Sequence, residues 1–387
     1  MMDVAVVGAG PAGSSAALEA ARRGLKVALL EEHPNVGRPL HCAGLLHQAS
    51  FEQTGFKVPS EVVDSWISRA CIYTGLREPL VGPFKLRALV VDRAKFDQWL
   101  SSLAVEAGAE LKTSCRVVGG ERVDGGWRLK LSRGSSGLEA GLLVAADGVG
   151  GSTLRLAGLP TAKELASCLQ YEVEGVEVED PERLDLYFSG SLAPGGYAWV
   201  VPLQSKRRVR VGLGVRRAPM PAKRFLDSFV KQLFGHVKPV ESYGGCVPVG
   251  GPIKPSYAEA FLAVGDAAGF ANPLTGAGIV GAVTSGSIAG RIASEACPKG
   301  FTADSLASYE GECWRKLGRG YMNVLRARRD LEKLSSRDVR DLIRRTGLVE
   351  DLRARRYLRA FVKVVLHKPS LAATALRVFR IRDYILR

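Results

Sequence analysis

Side-chain amides are scarce in this chain of 387 residues: it has three asparagines and six glutamines. Amides degrade on heating, so this scarcity, together with an arginine-rich charge, fits a protein from a hot environment. Seven cysteines (Cys42, Cys71, Cys115, Cys168, Cys246, Cys297, Cys313) are odd in number and lack metal-ligand spacing. That scatter excludes a zinc ribbon or a disulfide scaffold and reads as the reduced thiols of a cytoplasmic protein, with no metal implied. Membrane-length apolar runs are also missing. The longest uncharged stretch, 267–290, follows Asp266 and contains Asn272-Pro273 and six glycines, so it reads as a loop feeding a buried helix. Neither a signal peptide nor an internal repeat is visible, and the N-terminus runs straight into an apolar strand.

Glycine and positive charge are plentiful instead. There are 44 glycines, many beside apolar strands, and the net charge is +15. Residues 351–387 hold ten Lys/Arg against two acids, and so carry eight of those fifteen charges. Such a tail attracts something anionic. Nucleic acid is a poor match, because neither a recognised binding motif nor an aromatic stacking platform accompanies the charge. Leu371, Ala375, Val378, Phe379 and Ile385 recur near helical spacing among Arg377, Arg380 and Arg387. This pattern predicts either a solvated helix packed on the protein or a basic amphipathic segment lying peripherally on an anionic membrane surface.

The chain opens with an apolar strand, then Gly8-Ala9-Gly10-Pro11-Ala12-Gly13, an alanine-rich helix ending at Gly24, and a second strand closing at Glu31. In this context the first glycine permits a tight turn and the second lets the backbone approach a pyrophosphate. The third allows helix to pack on strand, and the acid can accept from an adenosine ribose. Two later apolar strands end the same way, at Asp147-Gly148 and at Gly265-Asp266. Repeated return of the chain to one cofactor favours FAD, whose ribityl hydroxyls need acceptors, over a nicotinamide nucleotide. Downstream, Asn272-Pro273-Leu274-Thr275-Gly276-Ala277-Gly278-Ile279 opens a helix whose amides suit the negative charge that a flavin gains on reduction.

The order of these motifs, with Asp92-Arg93-x-x-Phe96-Asp97 between them, resembles the flavoprotein family of p-hydroxybenzoate hydroxylase type over most of residues 1–300. Within it, Pro39-Leu-His-Cys42-Ala43-Gly44 and Tyr197-Ala-Trp199-Val-Val-Pro202 resemble the two signatures of geranylgeranyl reductases. Val201 stands where those carry Phe, Leu203 where Lys is usual, and Ala43 where Gly is frequent. The resemblance implies FAD contacts from Pro11, Ala12, Glu32, Arg38, Cys42, Ala43, Gly44, Arg93 and Val117 besides the residues above. It further implies Cys42 near the reacting alkene, either as proton donor or as a wall of the site, and a prenyl cavity lined by Tyr197 and Trp199.

The expected fold is α/β: a Rossmann-like FAD-binding domain from 1–160 and 256–300, an antiparallel substrate domain at 161–255, and a helical basic region at 301–387. The expected reaction is reduction of isolated C=C bonds in geranylgeranyl chains of a prenyl lipid, with NAD(P)H, ferredoxin or another reductant as electron donor. A flavin monooxygenase or halogenase, and a non-catalytic flavoprotein docked on membranes, are the alternatives.

Overall fold

The computed structural model describes residues 1–132 and 137–333, and beyond these only 362–364, 366, 372 and 376. The amphipathic tail expected to meet a lipid surface therefore lies, but for those isolated positions, outside the described residues.

In chain order the strands are β1 (Met2–Val7), β2 (Val27–Leu30), β3 (Leu45–His47), β4 (Val63–Tyr73), β5 (Pro79–Val91), β6 (Glu110–Lys112), β7 (Val117–Val123) and β8 (Gly126–Leu131). They continue with β9 (Leu138–Ala145), β10 (Leu165–Val173), β11 (Arg183–Tyr187), β12 (Tyr197–Leu203), β13 (Arg208–Val215), β14 (Pro239–Pro248), β15 (Tyr257–Ala258) and β16 (Phe261–Ala263). The α-helices are α1 (Pro11–Arg22), α2 (Gln48–Glu52), α3 (Arg93–Glu106), α4 (Thr153–Leu156), α5 (Ala222–Phe234), α6 (Ile279–Ala296), α7 (Ala303–Leu306), α8 (Ser308–Cys313) and α9 (Arg319–Leu331). Among the described residues, no helix is long and apolar enough to cross a membrane.

The chain forms two units: residues 1–40, 92–165 and 246–322, and residues 41–91 and 166–245 with the described residues from Asn323. In the first, the sheet order is β15-β16-β9-β1-β2-β6, with β8 pairing β9 and β7 pairing β8. Strands β16, β9, β1, β2 and β6 run parallel. Val4–Val7, Val27–Leu30 and Leu142–Ala145 are buried throughout, as strands covered on both faces must be, which explains why they read as unbroken apolar runs. Helix α1 is rich in alanine because α6 lies almost against its backbone: a Cβ on Gly286 would sit 2.2 Å from Ala12 O, and one on Gly290 2.4 Å from Ala16 O. Helix α3 starts where Asp92 accepts from the amides of Ala94 (3.0 Å) and Lys95 (3.3 Å), an N-cap worth about 1 kcal/mol.

The second unit is a sheet in the order β14-β10-β13-β12-β11-β4-β5-β3, in which the pairs from β10 to β11 and from β4 to β3 are antiparallel and β11 runs parallel to β4. One face carries Tyr73, Tyr187, Val200 and Leu213 against Phe225 and Phe229 of α5. The other carries Ile67, Val90, Leu184, Trp199, Val201 and Leu203.

Several boundaries differ from the sequence reading: besides small shifts that put 161–165 and 246–255 in the first unit and the described residues from Asn323 in the second, two are large. Residues 41–91 belong with the second unit, since β4 and β5 pair with each other and β4 with β11. Local alternation identifies a strand but not the sheet it joins. Residues 301–322, expected in a separate helical region, belong with the first unit. There the buried Tyr309 hydroxyl donates to Ala263 O and Ser256 N–H donates to Glu310 Oε2 at 2.8 Å.

Candidate cofactor site and substrate face

In the first unit the parallel register aligns Val7 with Leu30 and with Ala145, and Ala145 with Ala263. Gly8, Glu31, Asp147 and Asp266, which follow these strand ends closely, therefore share one edge of the sheet. At that edge the neighbours β1 and β9 lead to opposite sides, β1 to β2 and β9 towards β16, which makes it a switch point, the usual ligand crevice of open α/β sheets.

The three glycines have distinct physical reasons. Gly8 has φ +102, and a Cβ there would lie 2.5 Å from Ala146 O. A Cβ on Gly13 would lie 1.8 Å from Gly8 O, so turn and helix meet backbone to backbone. Gly10 has ordinary extended geometry, φ −69 and ψ −177, and a Cβ there would meet nothing within 4 Å. It leaves room in front of the first-turn amides of α1, where a pyrophosphate is favoured. The turn is tied to β2, because Ala9 N–H donates to Glu31 Oε2 at 3.0 Å. Oε1 of Glu31 accepts from His33 N–H at 3.0 Å.

The two later aspartates sit differently, Asp147 with an unsatisfied acceptor and Asp266 partly exposed. Asp147 Oδ2 accepts from the amide and hydroxyl of Thr153, while Oδ1 is buried with no hydrogen-bond partner. Burial raises its pKa, partly opposed by the Thr153 bonds. Asp266 follows Gly265, whose amide donates to Ser285 Oγ of α6 at 2.9 Å. Its Oδ1 would lie 3.0 Å from a Cβ on Gly278, at the N-cap of α6. Burial pushes Asp266 up to about 6, against the pull of Arg93. Arg93 is itself held by Asp97 through Nε (3.1 Å) and a second nitrogen (2.9 Å).

Ahead of α6, Asn272 Oδ1 accepts from the amides of Leu274 (2.9 Å) and Thr275 (3.2 Å). Asn272 N–H donates to Ala277 O at 2.9 Å. This closes Pro273–Gly278 into a turn in which Gly276 takes φ +71, and Ile279 begins the helix. Arg38 is exposed beside Gly37, whose Cβ would lie 2.7 Å from Ala94 Cα. Glu32, paired with Arg116 at 3.4 Å, borders an open concavity with His33, Pro34, Ser114 and Ser132, and Val117 is buried at the start of β7. An elongated dinucleotide fits these residues: there is space over Gly10 for phosphates, a concavity past the end of β2, and two acceptors, Asp147 Oδ1 and Asp266, suited to hydroxyl donors.

Cys42, Ala43, Gly44, Tyr197 and Trp199 belong to the second unit. Tyr197 and Trp199 share one face of β12, ring centroids 5.7 Å apart, as a period of two dictates. Phe188 stacks on Tyr197 at 5.2 Å. Gly212 on β13 makes room for the indole, since a Cβ there would lie 2.6 Å from its ring atoms. Partly exposed Ala43, Leu45, Phe84, Leu86 and Leu186 continue this apolar face. Burial, with Cys168 and Cys42 nearby, drives the Tyr197 hydroxyl far above its ordinary pKa, so it stays protonated. Gly44 N–H donates to Cys42 Sγ at 3.4 Å. The two flanking histidines are engaged locally: His41 Nδ1 lies 2.9 Å from Gly244 O, and His47 caps α2.

Sequence reasoning missed the polar residues beneath this face. Glu172 on β10 and Arg210 on β13 are fully buried and paired at 2.7 Å. The available signal was a charge inside an otherwise apolar strand, as in Val209-Arg210-Val211.

Residues 164–247 match the family described as geranylgeranyl reductase catalytic domain, and residues 3–171 the family described as FAD dependent oxidoreductase. A digeranylgeranylglycerophospholipid reductase 2 of Methanothermobacter thermautotrophicus is 38% identical over 355 residues, covering 88% of this chain and 91% of its own. A digeranylgeranylglycerophospholipid reductase of Methanocaldococcus jannaschii is 35% identical over 382 residues, covering 95% and 96%. Among solved structures, a geranylgeranyl bacteriochlorophyll reductase-like protein of Thermoplasma acidophilum aligns with a TM-score of 0.85 and 27% identity, over 99% of this chain and 98% of that one.

Proposed function

We propose, for a chain that belongs to the geranylgeranyl reductase family of FAD-dependent oxidoreductases, that its reaction is the saturation of isolated C=C bonds in the geranylgeranyl chains of membrane-lipid precursors. The observation that carries this reading is the second unit's apolar face, where Tyr197, Trp199, Val201 and Leu203 lie beside the Cys42 loop. FAD, once reduced, supplies the hydride equivalent.

The chain's own residues have three tasks. The first unit holds the cofactor through backbone amides at Gly8–Gly13 and through Glu31, Asp147 and Asp266. The apolar face takes the isoprenoid and excludes water, which an unactivated alkene requires because only close, fixed approach of the reacting atoms lowers the barrier. A proton must reach the second alkene carbon, and the Cys42 thiol is our first assignment, with the Tyr197 hydroxyl holding the chain beside it. Val201, smaller than the Phe of the family signature, leaves that part of the face wider. An anionic headgroup would be met by the basic segment 351–387, which we assign to peripheral contact with a lipid surface.

Anaerobic incubation of dithionite-reduced protein with a digeranylgeranyl phospholipid, followed by mass spectrometry of the lipid, tests the reading. Each saturated bond adds two hydrogens. Unchanged lipid, with O₂ consumed when air is admitted together with an aromatic acceptor, would replace it with a monooxygenase.

A further inference from the structure

We infer that Arg210 is a positioning residue, holding the Cys42–Ala43–Gly44 loop in the shape that alkene reduction requires; this rests on the reductase reading above. Arg210 is 2% exposed in the middle of β13. One guanidinium nitrogen donates to the carbonyl of Ala43, the residue after Cys42. The other donates to Glu172 Oε1 at 2.7 Å, and the Tyr243 hydroxyl donates to the same oxygen at 2.8 Å. Asp64 Oδ2 lies 3.9 Å from the cation, which also stands over the Tyr243 ring at 5.7 Å. Strands β4, β10 and β14 thus each send a side chain to a single guanidinium on β13.

Stability alone does not explain this arrangement. Desolvating two charges cancels most of their attraction, and an apolar pair of similar volume commonly holds neighbouring strands as well or better. An apolar pair cannot donate a hydrogen bond to a loop carbonyl 167 residues away in sequence. The loop needs such a donor. Gly44 sits at φ +73, where a Cβ would come within 2.3 Å of Val91 O, and its carbonyl accepts from Val91 N–H at 2.9 Å. Its own amide points back at Cys42 Sγ. The Ala43 carbonyl, in the same peptide group as the Gly44 amide, is fixed by Arg210, so the cation sets the peptide that donates to the thiol. Glu172 and Tyr243 in turn fix the cation.

The test uses the full, FAD-loaded chain with Arg210→Met, Arg210→Lys and Tyr243→Phe. Iodoacetamide labelling is followed at each cysteine by peptide mass spectrometry, with exposed Cys246 as internal clock. In Arg210→Met we expect Cys42 to label about tenfold faster relative to Cys246 as the loop opens. We expect kcat on a digeranylgeranyl phospholipid to fall while KM and FAD content hold. Arg210→Lys, which keeps one donor for Ala43, should recover part of both effects, and Tyr243→Phe should show a smaller change in the same direction. A folded Arg210→Met protein with unaltered Cys42 labelling and kcat overturns the inference. If that variant does not fold, unaltered labelling in both Arg210→Lys and Tyr243→Phe overturns it equally. Failure of the parent protein to reduce any prenyl lipid would instead sink the reductase reading, and the labelling ratio would still decide whether Arg210 holds the loop.

Discussion

The two units treat their central buried carboxylates differently. In the first, the site is made largely of missing side chains and unpaired acceptors: glycines open the crevice, Asp147 Oδ1 has no partner, and burial raises Asp266. In the second, acid and base are paired inside the protein. Burial works to raise Glu172, but Arg210 and Tyr243 overcome it and hold the carboxylate below its ordinary range. Asp147 Oδ1 is thus left for a ligand to meet, whereas the Glu172 carboxylate is met from within by Arg210 and Tyr243, although Asp64 Oδ2, Gln170 Oε1, Trp199 Nε1 and Arg210 Nε around it have no hydrogen-bond partner.

The sharpest way to break this comparison is to add atoms to the glycines. Gly13→Val places carbon where Gly8 O already stands, so we expect loss of the folded first unit, a cost on the order of 4 kcal/mol or more, seen as insoluble or colourless protein. Gly10→Ala adds its methyl to open space. Its apoprotein should melt within about 2 °C of the parent, while the FAD dissociation constant, by fluorescence titration, rises roughly a hundredfold. If Gly10→Ala binds FAD as the parent does, the space over α1 is not a phosphate site.

In the second unit the matching probe is Gly212→Ala. Its Cβ would lie 2.6 Å from both the Trp199 ring and Gln170 Cβ, and the latter is too close to the backbone to swing away. We expect the indole to be displaced, with KM for the prenyl lipid rising about tenfold and FAD content unchanged, at a stability cost of about 1–3 kcal/mol. A loss of FAD in this variant would mean that the two units do not divide the work as described.

This contrast also explains what was legible in the sequence. Gly8, Gly10 and Gly13 announce themselves because a backbone-lined site constrains residue type locally, and Asp147 and Asp266 are visible because each ends an apolar run. Tyr197 and Trp199 were legible as sharing a face, since that needs only the period of a strand. Arg210, Glu172 and Tyr243 lie on three strands, β13, β10 and β14, and nothing in their spacing says that they meet. For the same reason β4 and β5 were recognisable as strand material but not as members of the second sheet.

The smallest expected effect concerns pH, and there the two units should pull in opposite directions. Asp266, near 6 in the folded apoprotein against 3.8 when free, binds its proton more tightly folded than unfolded. Its contribution to apoprotein stability therefore declines as pH rises from about 4 to about 6 and is flat above. Glu172, lowered by its partners, contributes above its unfolded pKa, and that contribution is lost as pH falls through its depressed folded value. Asp266→Asn should flatten the first limb only, making the apoprotein more stable than the parent at pH 7 by on the order of 1 kcal/mol, since the group is partly exposed and water screens it. Bound FAD should reverse that order. A ribityl hydroxyl donates better to a carboxylate than to an amide, so the parent's FAD affinity should rise as pH passes about 6, and Asp266→Asn should bind FAD more weakly with no such rise. Thermal melts of both proteins at pH 5 and pH 7, with and without FAD, give the comparison directly. Equal shifts in all four conditions would mean that Asp266 neither titrates in this range nor faces the cofactor.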